Sequence, residues 1–389
     1  RVGTKIFIRN NKNEGRRNID TIFIHSRSLQ PLAYSMSTDY VKPGVSDISK
    51  ERKMFQDEFS NIMESLKTKS TFSEVPEVAN WVEKISVYNI KGGKQFRAST
   101  TTLAYEMLEN PKNINEETMR LARVMGWCVE MLHGYFLLLD DIMDGSSLRR
   151  GVACWHRLPG IGLTAINDSI LLYSALFETL KINFGDKPHY VKIIDAFNKC
   201  LSHTVMGQYL DTLVMKKEND YDQFTMKRYE DIAKYKTSYY TFNLPITLGL
   251  LLANNADQAM HKTAEDVSLK IGLLFQIQDD YIDCYGDESV SGKDGTDIQE
   301  GKCSWLAVQA LKRCTPEQRK IFEKHYSINE PECVERIRQL YGDLKIPELY
   351  REFERSHYES LVEQINSLPP ALSPALFTRL VDMIYKRVK

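Results

Sequence analysis

Two runs of aspartate have a spacing that could do chemistry. Asp140, Asp141 and Asp144 form one D-D-x-x-D pattern, and Asp279, Asp280 and Asp283 form a second. On a helix the first and last members of each run lie four residues apart and share a face. Ionised carboxylates so placed repel one another, by roughly a few tenths of a kcal/mol per exposed pair and by more when buried. A cation removes that penalty. An oxygen-only ligand set suits Mg²⁺, which keeps several waters and is completed by substrate phosphates rather than by an all-protein cage. One such run alone is more often a solvated acidic helix face. Here each run follows an apolar stretch, Leu137-Leu138-Leu139 before the first and Leu273-Leu274-Phe275 before the second, where a solvated face would not set three carboxylates. Facing each other across a bundle, the two runs would clamp a diphosphate through metal ions.

Basic segments accompany the aspartates: Gly92-Gly93-Lys94-Gln95-Phe96-Arg97, the pair Arg149-Arg150, Lys234-Tyr235-Lys236-Thr237, and Gly292-Lys293-Asp294-Gly295-Thr296-Asp297 leading to Lys302. Each alone is ordinary surface decoration. Taken with the aspartates, in order and spacing, they resemble the farnesyl diphosphate synthases from about Ser46 to the C-terminus. The most specific points are Asp140-Asp141-Ile142-Met143-Asp144 followed by Arg149-Arg150-Gly151, and Phe275-Gln276-Ile277-Gln278 leading into Asp279-Asp280-Tyr281-Ile282-Asp283.

That resemblance implies an all-α fold, a single large helical bundle around a deep central cavity (the isoprenoid synthase fold), acting as a homodimer. It implies a prenyltransferase that condenses isopentenyl diphosphate head to tail with dimethylallyl and geranyl diphosphates. By the same resemblance Asp140, Asp144 and Asp279 ligate three Mg²⁺ ions, with Asp141, Asp280 and Asp283 in support. Arg149, Lys236 and Lys293 hold the allylic diphosphate. Lys94, Arg97, His133 and Arg150 hold the diphosphate of isopentenyl diphosphate, whose hydrocarbon end packs near Phe275. Thr237 and Gln276 stabilise positive charge, and Tyr135 and Phe136, about one helical turn before Asp140, floor the pocket and limit chain length. His133 has a second reading as a hydrogen-bonded core histidine.

The chain departs from the family pattern Gly-Gly-Lys-x-Asn-Arg-Gly at Phe96 and Ala98. It also carries Asp294 where the family is usually apolar, and it lacks an additional arginine in Tyr385-Lys386-Arg387-Val388-Lys389. Apart from Asp294, these changes fall on the isopentenyl side. Other functional classes therefore stay open: a geranyl diphosphate synthase, a terpene synthase that ionises an allylic diphosphate without condensing it, or a noncatalytic partner subunit, which should have lost aspartates or basic ligands.

Helices must position these groups, and the sequence supplies them. Phe55, Phe59, Ile62, Met63 and Leu66 recur at three- and four-residue steps, and the same period returns over 117–139, 190–215, 258–284 and 346–366. Asn110-Pro111, Gly185-Asp186-Lys187-Pro188 and Asn254-Asn255 punctuate them. At 389 residues and 42% hydrophobic content the chain can bury a large core. Lys and Arg total 51 against 52 Asp and Glu, so no basic excess recommends nucleic acid as a partner, and local clusters must meet any anion. The seven cysteines are scattered without metal-ligand spacing, which predicts a reducing compartment and no zinc site. No uncharged apolar run approaches the ~20 residues of a membrane span. Residues 1–45, rich in Arg and poor in acid, have the composition of a mitochondrial transit peptide or of a solvated basic tail. A cytoplasmic location is the alternative. Residues 46–389 form the expected catalytic domain.

Overall fold

A computed structural model describes residues 48–215, 220–255, 257–286 and 295–385. The N-terminal basic segment, Lys293 with its neighbours Gly292 and Asp294, and the last four residues lie outside the described part.

The described chain is helical almost throughout. In order run α1 (Ile48–Lys69), α2 (Pro76–Asn89), α3 (Phe96–Leu108), α4 (Glu116–Met143), α5 (Ala165–Phe184), α6 (Tyr190–Met215), α7 (Met226–Ile232), α8 (Leu244–Leu252) and α9 (Gln258–Tyr285). Then follow α10 (Trp305–Leu311), α11 (Pro316–His325), α12 (Pro331–Asp343), α13 (Ile346–Asn366) and α14 (Pro374–Ile384). The four long periodic segments of the sequence correspond to α4, α6, α9 and α13. None of the described helices is long and apolar enough to cross a membrane.

Helix α4 starts where the Asn115 side chain accepts from the Thr118 N–H and the Thr118 hydroxyl accepts from the Asn115 N–H, a reciprocal cap. Its middle is buried on every side: Trp127 stacks on Phe55 of α1 at 4.3 Å and donates its indole N–H to the Phe55 carbonyl at 2.7 Å. A helix sheathed this way cannot slide, so the aspartates at its C-terminal end are held fixed.

Between α4 and α5 a two-stranded hairpin, β1 (Leu148–Arg149) and β2 (Val152–Ala153), turns through Arg150 and Gly151, both at positive φ. Two consecutive left-handed residues make the tight turn whose twist suits a hairpin. Buried Asp168 of α5 ties its base, accepting from the indoles of Trp81 and Trp155 at 2.8 and 2.7 Å. Tyr88 adds a hydrogen bond to the Ala153 carbonyl at 2.7 Å.

Helices α7 and α8 are joined without a break by an eleven-residue π-helical stretch, Ala233–Asn243. Such i→i+5 turns are rare and cluster at functional sites. This one carries Lys236 and Thr237.

Candidate active site

The first aspartate cluster lies on the last turn of α4. Asp141 is buried and ion-paired with Arg149, whose Nε donates to its Oδ1 at 2.9 Å. Asp140 is met by Lys236 Nζ at 3.3 Å, by an Arg149 guanidinium nitrogen at 3.7 Å, and by the Gln208 amide at 3.1 Å. Asp144 pairs with Lys302 at 2.9 Å. Burial alone would raise the Asp140 carboxyl, but Lys236, Lys302 and Arg149 together hold it below the usual range. Asp144 moves the other way, pushed up by burial and by Asp140 beside it.

The second cluster ends α9. Buried Asp280 accepts from the Trp305 backbone N–H at 2.7 Å and from the Gln276 amide at 2.9 Å. Its carboxyl is pushed up to about 7, chiefly by burial, with Asp279 adding to the shift. Asp283 accepts from the backbone N–H groups of Thr296 and Asp297 at 3.3 and 3.0 Å, anchoring the chain that returns toward Lys302.

Two adjacent residues of the π-helical stretch join the clusters. Lys236 reaches Asp140 of the first, while the Thr237 hydroxyl donates to Gln276 Oε1 at 2.6 Å, and Gln276 in turn holds Asp280 of the second. A second bridge runs through Lys302 and Trp305, one on Asp144 and the other on Asp280. Between the bridges lies buried Asp211 of α6, 2.7 Å from Lys236 and 3.7 Å from Lys302. Burial raises Asp211, but the two ammonium groups outweigh it and hold the carboxyl low.

The cationic side sits one turn further along the same stretch. Arg97 donates to the Tyr240 hydroxyl at 2.8 Å and to Thr241 Oγ1 at 2.9 Å, lies over the Tyr240 ring, and meets His133 Nε2 at 3.3 Å. With i→i+5 geometry Lys236, Tyr240 and Thr241 share a face, so one segment serves both the aspartates and Arg97. Arg150 braces the glycine loop by donating to the carbonyls of Asn89 and Gly92 at 3.1 and 2.9 Å. Lys94 is exposed on that loop.

The departures from the family pattern have visible consequences. The Ala98 methyl faces Gly126 of α4, where a side chain would be too close, and the Ala98 N–H donates to buried Glu130 at 3.1 Å. The extra methyl is thus absorbed without displacing α3. Phe96 instead adds a ring, 5.6 Å from Phe242 and 6.4 Å from Phe275. Tyr135 and Phe136 join an aromatic patch with Tyr173 at 5.0 Å and Tyr240 at 5.5 Å. A separate cleft of about 110 Å³ between α6, the π-helical stretch and α9 is lined by Lys199, His203, Tyr239 and Glu265 and by neither aspartate cluster.

A profile of the family described as polyprenyl synthetase matches residues 79–344. The farnesyl pyrophosphate synthase of Homo sapiens is 40% identical over 347 residues, covering 88% of this chain and 83% of that protein. That of Bos taurus is 39% identical over 343 residues, covering 88% and 97%. Among solved structures, T. brucei farnesyl diphosphate synthase complexed with bisphosphonate superposes with a TM-score of 0.81 at 31% identity, over 87% of this chain and 100% of that one.

The chain belongs to the polyprenyl synthetase family. It is a prenyltransferase with the all-α isoprenoid synthase fold expected from its motifs. Several residues of this prenyl synthetase's site were not singled out from sequence, namely Gln208, Asp211, Tyr240, Thr241 and Trp305, while Lys302 was noted only as the end of a basic segment and given no role. Asp211 had a signal, an acid on the buried face of α6; the others are defined only by what they touch.

The two readings of His133 coincide, because it is buried and also faces Arg97. Burial first, then Arg97, Arg150 and Arg149, hold its pKa well below 6.5, so it stays neutral. The unfolded chain takes up a proton there below pH 6.5 while the folded chain does not, so stability drops as pH is lowered, by at most about 1.4 kcal/mol per unit. His133→Gln is expected to lose that slope: the stability difference between variant and wild type, from urea midpoints at pH 7.5 and 5.5, shifts in favour of the variant at acid pH. A difference independent of pH would contradict this.

Proposed function

We propose that the enzyme is a farnesyl diphosphate synthase, joining isopentenyl diphosphate to dimethylallyl and then geranyl diphosphate. The observation that carries this reading is the double bridge between the aspartate clusters, through Lys236–Thr237 and through Lys302–Trp305. It ties cations and carboxylates of both clusters together, as joint action on one diphosphate requires.

The donor set suits Mg²⁺. Asp144 and Asp280 are both pushed upward, by burial first and then by Asp140 and Asp279 beside them, and a divalent cation would favour their charged forms. Among the described residues no three such groups converge on one point, so substrate phosphate and water would have to complete the coordination. Asp140, Asp144 and Asp279 would hold the ions, three by family resemblance, with Asp141, Asp280 and Asp283 behind them. Bound there, Mg²⁺ would neutralise the diphosphate as it leaves the allylic carbon.

The chain's own groups do the rest. Lys236, Arg149 and Lys302, with Lys293 by resemblance, would take up leaving-group charge. The Thr237 hydroxyl and the Gln276 amide oxygen face the developing cation, while Tyr135, Phe136, Tyr173 and Tyr240 keep water from it. Arg97, Arg150, Lys94 and neutral His133 would hold the second diphosphate. The isopentenyl double bond attacks the cation, and the proton lost goes to the departing diphosphate. Trimming both Tyr135 and Phe136 to Ala is expected to lengthen products beyond fifteen carbons, read by chromatography after phosphatase treatment; an unchanged profile would refute their role.

One observation favours a second reading. The Phe96 ring occupies the corner between Phe242 and Phe275, where the isopentenyl hydrocarbon end is expected, and this would suit a terpene synthase. A geranyl diphosphate synthase is the intermediate case. Against the terpene synthase stand the retained phosphate-binding cations, since charge-assisted contacts are the strong ones. Incubating labelled isopentenyl diphosphate with each allylic partner decides: label in farnesyl diphosphate supports the synthase. Unincorporated label, with allylic substrate converted to hydrocarbon without phosphatase, replaces it by the terpene synthase.

Exposed Ile166 and Ile170 on α5, with Val205, Met206 and Tyr209 on α6, support homodimer formation through these helices. Ile170→Glu with Met206→Glu should then sediment as a monomer. The basic composition of residues 1–45 supports mitochondrial targeting over a cytoplasmic location, which import of the full chain into isolated mitochondria tests.

A further inference from the structure

The π-helical stretch lies between α6 and α9 with no clearance, and on both sides the space is supplied by a glycine. A Cβ placed on Gly207 of α6 would overlap the Lys236 backbone nitrogen and lie 2.5 Å from Lys236 Cα. A Cβ on Gly272 of α9 would overlap the Ser238 side chain and lie 2.7 Å from Ser238 Cα. The two contacts fall on either side of Thr237. An i→i+5 turn encloses more backbone than an i→i+4 turn and is correspondingly wider, so it needs room that side chains on neighbouring helices would fill. The wide turn is also held from within, by Ser238 Oγ donating to the Ala233 carbonyl five residues back at 2.9 Å.

We propose that Gly207 and Gly272 are positioning residues for prenyl transfer. By lacking side chains they fix the lateral place of the stretch, so that Lys236 reaches Asp140 and Asp211 while Thr237 reaches Gln276. Neither glycine touches substrate. A displacement toward either helix would lengthen contacts at one aspartate cluster as it shortened those at the other, because Lys236 and Thr237 serve different clusters. Tyr240 and Thr241, on the same stretch, would carry Arg97 with them. The inference rests on the prenyl-transfer reading. A purely structural role would lower stability and leave the kinetic constants of the folded enzyme alone.

The test compares Gly272→Ala with Gly272→Ala/Ser238→Gly, measuring kcat and KM for both substrates per folded molecule together with the melting temperature. Gly272→Ala is expected to lower kcat about 100-fold, the usual effect of roughly 1 Å of misplacement, and, with Arg97 carried along, to raise KM for isopentenyl diphosphate. Removing the Ser238 side chain relieves the two nearest overlaps, though Ser238 Cα stays at 2.7 Å and the bond to Ala233 is given up, so the double variant should regain about ten-fold, a part of that loss. Gly207→Ala meets main chain instead, and Ser238→Gly should not rescue it. A Gly272→Ala enzyme within two-fold of wild type, a double variant no faster than the single, or a loss confined to melting temperature would each overturn the proposal. Were the wild type to condense nothing, the functional reading would fail separately. The same variants would then be compared by Mg²⁺-dependent binding of inorganic pyrophosphate, where an unaltered affinity in Gly272→Ala would overturn the positioning role.

Discussion

Asp140→Ala is expected to lose turnover by about 1,000-fold, equivalent to ~4 kcal/mol of transition-state stabilisation, while its melting temperature changes little. The carboxylate is partly exposed, and although Lys236, Lys302 and Arg149 favour its charge, each of those cations keeps another carboxylate when it is removed. Lys236 keeps Asp211 at 2.7 Å and Arg149 keeps Asp141, so no buried charge is stranded. Activity and stability should therefore separate cleanly, measured by steady-state kinetics and by thermal unfolding of the same preparation. A variant that loses both together would show that Asp140 is structural. One that keeps wild-type turnover would remove it from the metal site.

Lys236→Met should behave differently, losing stability and activity at once. Its ammonium pairs with Asp211, whose side chain is only 8% exposed, and burial leaves that carboxylate dependent on its partners. Breaking a buried pair from one side costs about 3 kcal/mol, lessened here because Lys302 remains 3.7 Å away. Asp211→Asn added to Lys236→Met should return most of the stability, since the stranded charge is gone, and none of the turnover, since the cation facing Asp140 is still missing. Recovery of both would mean that Lys236 matters only to the fold. The depressed Asp211 carboxyl also sets a direction in pH: its contribution is present above its ordinary value of 3.8 and is lost as pH falls through the lower folded value. Wild type should therefore lose more stability between pH 4 and pH 2 than the double variant.

What could be read in the sequence was whatever residue type and period determine locally. The three- and four-residue recurrence of apolar side chains marked α4, α6, α9 and α13, because a helix that buries one face must show it. The aspartates were legible because three acids after an apolar run have no simple structural use. The π-helical stretch was not legible. Nothing in Ala233–Asn243 breaks an α-helix, and the width of the turn depends on Gly207 and Gly272, distant in sequence and on different helices. Lys302 and Trp305 acquire their roles only when the chain after Asp283 folds back, anchored by the Thr296 and Asp297 N–H groups. Phe96 and Ala98 looked alike as departures from a motif. Packing separates them, since the Ala98 methyl finds Gly126 opposite, whereas the Phe96 ring enters the Phe242–Phe275 corner.

The central claim is that the two aspartate clusters act together, through divalent cations, on one diphosphate. Calorimetric titration of inorganic pyrophosphate into the full chain, with and without Mg²⁺, tests it without relying on turnover. The account predicts binding only when Mg²⁺ is present, and its loss in both Asp140→Ala and Asp279→Ala, one variant from each cluster. Equal pyrophosphate affinity with and without Mg²⁺, or loss in only one of the two variants, would contradict it.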